Sequence, residues 1–178
     1  AYVETGRVSE ASDLLRRGAE ISDRLKAEMP DDRNAIDAAA FSYEKLASVE
    51  LRLRQINAAI EHAWQALVLR EELLTADPRG MKTRQNVAIA LRTYGESARH
   101  IGLPKEAETS LLRSAELLEA LVTADPKRAD FQHDLAVTIS RLGDVSLDLG
   151  STARAEEHYL RAHEISETLA IADPKNFL

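Results

Sequence analysis

Proline recurs in this sequence at a fixed interval of 48 residues, at Pro30, Pro78, Pro126 and Pro174. The last three of these prolines each close an Ala-Asp-Pro triplet. A fixed period of this length indicates a repeat architecture, in which each unit buries its apolar face against its neighbours. The prolines divide the chain into a partial repeat (1–30), three full repeats (31–78, 79–126 and 127–174) and a tail (175–178).

Apolar periodicity in the third repeat predicts that each unit is a pair of helices. Apolar residues recur every three or four positions from Leu135 to Leu149, which indicates an amphipathic helix. Gly150 is expected to end this helix, and it aligns with Gly102 and Gly6, because glycine readily adopts the left-handed conformation beyond a helix C-terminus. A second helix is predicted over 153–172. The fold class is therefore all-α, with antiparallel helices of about 18–20 residues.

The second and third repeats resemble the tetratricopeptide (TPR) family in the residues at its motif positions. The third repeat has Leu142-Gly143, Gly150, Ala155, Tyr159 and Ala162 at the family's spacings. The second has Tyr94-Gly95, Gly102, Ala107, Leu111 and Ser114. The unit is longer than the family's motif and is similar to the long repeats of kinesin light chains and of bacterial signalling proteins. The resemblance implies a right-handed α-solenoid of antiparallel helix pairs, a TPR-like superhelix.

The first full repeat departs from this pattern at its turn. It has Leu46-Ala47 where Leu-Gly is expected and Arg54 where the turn glycine is expected. Asn57 is predicted to cap the second helix of this repeat, because asparagine is a favoured N-cap residue. Ala59, Ala63 and Ala66 keep the small-residue positions, so we expect a third complete helix pair.

Composition narrows the possible partners and compartments. The formal charge of −7 and the pI near 5.3 disfavour a nucleic-acid partner, since such a partner requires a concentrated basic face. The longest apolar run, Val87 to Leu91, is too short to span a membrane. The chain has no cysteine, which is compatible with a cytoplasmic protein. It begins without Met inside a repeat, so we expect a fragment of a larger multidomain protein, and the Ala- and Arg-rich composition favours a bacterial one.

The TPR resemblance implies that the first helices line a concave groove for a protein or peptide partner. The groove positions carry over to Phe41, Glu44, Ser48, Leu51, Arg52, Ile89, Arg92, Glu96, Arg99, His100, Val137, Ser140, Asp144, Leu147 and Asp148. Arginines bind carboxylates and phosphates through paired hydrogen bonds, so the second repeat could form an anion site. Glu96, Asp144 and Asp148 interrupt that patch. The alternative is a solvated helix face on which opposite charges alternate.

The aromatic residues have structural and functional interpretations. Trp64 aligns with Leu112 and Leu160, so it is predicted to pack between successive units. Phe41 and Phe131 lie on first helices where the equivalent positions are polar or aliphatic, and either could be an aromatic anchor on the concave side.

Catalytic and metal-binding motifs are missing from the sequence. It has no His-Glu-x-x-His run, phosphate-binding glycine loop or nucleophile elbow. His158 and His163 are five residues apart, which points them to different sides of one helix. We therefore expect a protein that is not an enzyme, with no cofactor or metal.

Two functions follow from these patterns. The first is an interaction module that presents its groove to a peptide or to a neighbouring domain of the same chain. The alternative is a self-assembly or spacer solenoid, a homo-oligomer that stacks through uncapped ends. The apolar residues predicted to be exposed at the two ends are Ile165, Leu169 and Ile171, and Val3, Leu15 and Ile21.

Overall fold

A computed structural model of the protein describes the backbone of residues 2–172 and the side chains of residue 10 and residues 12–172. Pro174 and the tail 175–178 lie outside the described residues, as does the side chain of Val3. Seven helices follow one another, with no strand in the described part of the chain. Their bounds are α1 (Tyr2–Glu28), α2 (Arg33–Arg52), α3 (Ile56–Ala76), α4 (Met81–His100), α5 (Pro104–Ala124), α6 (Ala129–Asp148) and α7 (Thr152–Ala172).

The helices form two compact units, residues 1–83 and 84–178. In unit 1, α2 packs against both α1 and α3. In unit 2, α6 packs against both α5 and α7, and Gly95 of α4 lies against Leu111 of α5. Within each unit, the helices thus pack on their sequence neighbours, and the predicted all-α solenoid class is confirmed.

The turn within each helix pair has the same backbone conformation in all three full repeats. Arg54, Gly102 and Gly150 occupy equivalent positions, and their φ angles are 62°, 83° and 76°. The residue after each of them donates its backbone N–H to the carbonyl oxygen five positions earlier, as Gln55 does to Glu50 at 2.9 Å. This is the hydrogen bond of a left-handed helix C-cap, in which glycine avoids the steric cost of a Cβ atom. Arg54 adopts the same conformation with a Cβ atom.

Two expectations about these turns are wrong. Asn57 does not cap α3, because the helix already begins at Ile56 and Gln55 occupies the N-cap position without a side-chain hydrogen bond. Gly6 does not end a helix, because α1 continues without a break from Tyr2 to Glu28.

The Asp-Pro steps separate successive helix pairs. The second helices α3 and α5 end at Ala76 and Ala124, one residue before Asp77 and Asp125. Proline disfavours the helical conformation in the residue that precedes it, so these helices stop at the Ala-Asp-Pro triplets.

Small residues let the two helices of each pair approach closely. Ala59, Ala107 and Ala155 share one repeat position, and each is at most 2% exposed. A Cβ atom on Gly143 would lie 2.6 Å from the ring of Tyr159 on the facing helix, and one on Gly95 would lie 3.0 Å from Leu111. Glycine therefore avoids a steric overlap at Gly143 and a tight contact at Gly95.

The first full repeat has a different pair of residues at this contact. Ala47 stands where the other repeats have glycine, and Ala63 stands where they have Leu111 and Tyr159. Both alanines are fully buried in the pair of α2 and α3. The smaller facing residue leaves room for the added methyl group, which explains why this repeat can lose the Leu-Gly motif and keep the fold.

Replacing Gly143 with alanine should lower the free energy of unfolding by about 1–3 kcal/mol, because the new methyl group overlaps the ring of Tyr159. Urea unfolding followed by far-UV circular dichroism measures this loss. Gly18→Ala is the matched control, since the nearest atom to its new Cβ is the Ser42 hydroxyl oxygen at 3.8 Å. There the helix propensity of alanine should raise stability by up to about 1 kcal/mol. Equal effects of the two changes would contradict this packing.

Candidate interaction surfaces

The described residues offer little for catalysis or metal binding. Among them, no three His, Cys, Asp or Glu side chains lie close enough together to hold a metal ion. Burial lowers the pKa of His158, and its Nε2 atom has no hydrogen-bond partner in the part of the chain that the structure describes. No helix of the described chain combines the length and the apolar character that crossing a bilayer requires.

Five charged side chains of α4 and α6 form a network of ion pairs, here named the α4/α6 lattice. Its members are Glu96, Arg99, Arg141, Asp144 and Asp148. Arg99 donates through Nε to Asp148 at 2.5 Å and lies 3.6 Å from Asp144. Arg141 donates to Glu96 at 2.7 Å and to Asp144 at 3.3 Å. The hydrogen bond to Asp148 raises the pKa of Arg99 above its ordinary value, against the effect of burial. The alternating charges predicted for this face thus satisfy one another.

Two other members of the predicted anion site lie apart from this lattice. Arg92 is half-buried and donates to the carboxylate of Asp134 on α6 at 3.1 Å. The same carboxylate accepts a hydrogen bond from Gln85 at 2.8 Å. His100 is exposed at the end of α4. The structure therefore gives Arg92 and Arg99 carboxylate partners within unit 2 and leaves His100 on the surface.

Glu44, a predicted groove residue of α2, is buried within unit 1. Its carboxylate accepts hydrogen bonds from Arg70 of α3, from Nε at 2.7 Å and from Nη2 at 3.4 Å. Arg70 is itself 3% exposed and also donates to Asp37. Burial lowers the pKa of Arg70, but the hydrogen bonds and charges of the two carboxylates raise it by more. Glu44 thus neutralises a buried cation, and Arg52 remains exposed at the end of α2.

Sequence reasoning missed Arg70 and Arg141 as members of these clusters. Arg70 stands at the repeat position of Leu118, which is fully buried, so a charge in an apolar position was the available signal. Arg141 follows Glu96 by 45 residues, which is close to the repeat length and places it on the next first helix.

The structure separates the two candidate aromatic anchors of the first helices. Phe41 keeps 51% of its surface exposed on α2, with the ammonium group of Lys45 5.1 Å from its ring centroid. Phe131 is fully buried at the start of α6, where the Arg128 guanidinium covers its ring at 4.3 Å. The interpretation of Phe131 as an anchor is therefore wrong, because its ring fills the core of unit 2.

Trp64 lies at the outer surface of α3, beside α1 of the preceding repeat, so its packing between successive repeats leaves the indole partly exposed. It is 53% exposed, and the equivalent residues Leu112 and Leu160 are 42% and 57% exposed. This repeat position faces outward from the second helix, so its apolar character does not arise from core packing.

A groove of about 310 Å³ opens beside Trp64, between α1 and α3. We name it the Trp64 groove and define it by Asp23, Tyr43, Trp64, Gln65 and Val68. The hydroxyl of Tyr43, a residue otherwise buried in the core of unit 1, donates to Asp23 at 2.5 Å. Burial and this carboxylate raise the pKa of Tyr43 far above its ordinary value. The groove thus combines an apolar wall with an acidic edge.

The helix pairs have the features that define the TPR motif. Each pair is antiparallel, turns through a left-handed residue and packs a small residue of the first helix against the second. In the third repeat, the Tyr159 ring lies over Gly143 and its hydroxyl donates to Asp144 at 2.8 Å. The repeat fold is of the TPR type.

No protein-family model matches the sequence, and no curated protein matches it. Among solved structures, MamA (MSR-1, C2) is 18% identical with a TM-score of 0.43, covering 94% of this chain and 72% of that chain. TTC0263, a thermophilic TPR protein of Thermus thermophilus, is 17% identical with a TM-score of 0.39, covering 96% and 91%. A Podospora anserina protein, described as a kinesin light chain with nearly identical TPR-like repeats, is 18% identical with a TM-score of 0.35, covering 97% and 92%.

Glu44→Gln should lower the free energy of unfolding by about 2–3 kcal/mol, because it leaves the buried Arg70 cation with Asp37 alone. Glu96→Gln is the control. It removes one carboxylate from the more exposed α4/α6 lattice and should cost less than about 1 kcal/mol. Chemical denaturation of both variants measures the difference. Losses of similar size would show that Arg70 does not depend on Glu44.

Proposed function

We propose that the chain is a non-catalytic protein-interaction module that binds a peptide or a neighbouring domain through the exposed face of its first helices. The exposure of Phe41 is the main support for this proposal. Phe41 leaves half of its ring in solvent on α2, although the helix pair beneath it is fully packed. Aromatic side chains, Phe included, are enriched at protein interfaces relative to the rest of the protein surface.

The neighbours of Phe41 suit a protein partner. Lys45 lies over its ring, and Arg52 is exposed at the end of the same helix. A partner that covers Phe41 with an apolar side chain can therefore place a carboxylate beside these two cations, which adds specificity more than affinity.

In unit 2, the first helices offer the α4/α6 lattice and the exposed side chains of His100 and Leu147. The lattice residues already have partners of opposite charge, so binding there requires a segment that matches the pattern of both signs. We further propose that the chain is a segment of a larger, bacterial, cytoplasmic protein. We propose that this protein binds neither nucleic acid nor membrane.

The interaction-module proposal predicts that Phe41→Ala weakens binding of a purified partner by about tenfold or more, because an aromatic anchor is lost. The partner is isolated by affinity capture on the immobilised chain and then titrated by calorimetry. Leu112→Ala is the matched control, since it removes a similarly exposed apolar side chain from the second helix α5. Equal affinities of wild type and Phe41→Ala would exclude the face around Phe41.

The alternative, self-assembly through the ends, has an observation of its own. Leu14, Ile21 and Leu25 are 68%, 52% and 37% exposed, and their spacing places them on one face of α1. At the other end of the chain, a cavity of about 390 Å³ between α6 and α7 is lined in part by Val137 and Tyr159.

The structure tests which predicted end residues are exposed. Ile21 and Ile171 are exposed, Leu15 and Ile165 are half-buried, and Leu169 is buried. The expectation of an exposed Leu169 is therefore wrong.

If the ends stack, sedimentation velocity should show a mass that rises with concentration, and Ile21→Lys should abolish this rise because it places a charge within the apolar stripe of α1. Leu103→Lys, which alters an exposed turn residue, serves as the control and should leave the association unchanged. A monomer at all concentrations would exclude this alternative.

A further inference from the structure

The Trp64 groove lacks an ion pair that is present at the equivalent positions of unit 2. Two repeats after Asp23 and Gln65 stand Glu119 of α5 and Arg161 of α7. Arg161 donates to Glu119 at 2.6 Å, so an arginine side chain bridges these two second helices. In unit 1, Gln65 has no charge to offer. No lysine or arginine pairs with Asp23 among the residues whose side chains the structure describes.

The sequence shows that Gln65 is the exception among the three full repeats. The same two positions hold Glu71 and Arg113 one repeat later. In both of these cases, an acidic residue on one second helix is matched by an arginine on the next second helix. Asp23 retains the acidic residue, but Gln65 replaces the arginine.

Two other residues of the groove are larger or more apolar than the residues at the same positions in the other full repeats. Trp64 replaces the leucine of the other two repeats, and Val68 replaces Glu116 and Glu164. Val68 is 47% exposed beside the half-exposed indole of Trp64. The loss of the internal arginine is therefore accompanied by a larger apolar surface around the uncompensated carboxylate.

We propose that the Trp64 groove binds an arginine side chain presented by a partner protein, with the guanidinium at Asp23 and the aliphatic stem along Trp64 and Val68. The occupant takes the position that Arg161 takes in unit 2. The proposed contacts of the arginine are with α1 and α3, whereas Phe41 is exposed on α2.

The chemistry of the groove favours arginine over lysine. The guanidinium is planar, stacks on aromatic rings and can donate two parallel hydrogen bonds to one carboxylate. Tyr43 already donates its hydroxyl to Oδ2 of Asp23, which holds this carboxylate at the edge of the groove. Lys26 also lines the groove, but its ammonium group donates to Glu72 of α3 at 3.2 Å. The net charge of −7 further favours the approach of a basic segment.

Trp64 is the single tryptophan of the chain, so its indole N–H resonance reports directly on the groove. The probe is the blocked peptide Ac-Ala-Leu-Arg-Leu-Ala-NH2, titrated into the whole chain up to about 10 mM while this resonance is followed. A saturable shift is expected. The same peptide with citrulline, which keeps the shape of arginine and removes its charge, should bind about threefold to fivefold more weakly.

Two variants test the site itself. Asp23→Asn should weaken binding of the arginine peptide to the level of the citrulline peptide. Gln65→Arg should abolish binding, because the chain then supplies its own arginine as it does at Arg161. Gln65→Met, of similar length without the charge, should still bind the arginine peptide, and Glu119→Gln in unit 2 should bind like wild type. Circular dichroism verifies that each variant is folded.

The proposal is overturned if no saturable shift occurs, if the arginine and citrulline peptides bind equally, or if Gln65→Arg binds like wild type. Failure here leaves the first-helix face untouched, because Phe41→Ala tests that face separately. Conversely, Phe41→Ala should bind the arginine peptide with unchanged affinity.

Discussion

The close approach of the two helices in each pair is the constraint on which the rest of this structure depends. It is set by the residue at one position of the first helix and the residue that faces it: Gly143 under Tyr159, Gly95 against Leu111, and Ala47 with Ala63. The combined size of the two is limited, because a larger first-helix residue would force the facing side chain to move. The same constraint recurs at one position in all three full repeats.

In unit 2, the repeat period brings charged residues of equivalent helices close together. The ion pairs between α4 and α6 join residues 45 to 49 positions apart, and Arg161 and Glu119 of the second helices are 42 apart. Exposed pairs of this kind contribute little to stability. Their effect is to neutralise a surface that would otherwise offer unpaired arginines to any anionic partner. In unit 2, the charges that resemble a binding site are therefore largely occupied within the chain.

The sequence was sufficient for the helix pairs and for the turns at Gly102 and Gly150, since these follow from one period and from residues with fixed backbone preferences. It was not sufficient for Gly6, which lies within α1. It was insufficient for the partners of charged side chains. The burial of Glu44 depends on Arg70, which stands 26 positions later on another helix and replaces an apolar residue. Phe131 and Trp64 show the same limit. Alignment identified both as large residues, but only the packing shows that Phe131 points into unit 2 and Trp64 points out of unit 1.

A repeat protein can recognise a partner selectively where one repeat lacks an interaction that the other repeats make within the chain. In unit 2, Arg161 forms an ion pair with Glu119 of the other second helix. In unit 1, Asp23 lies beside the apolar side chains of Trp64 and Val68 instead. The first helix of unit 1 likewise exposes Phe41 where the other repeats carry isoleucine and valine. Both departures increase exposed apolar surface next to charge, which is the combination found at protein interfaces. The other repeats keep the same helix pairs with different residues at these positions, so the fold does not require Phe41 or an unpaired Asp23. This is the physical argument for proposing that both residues take part in recognition of a partner.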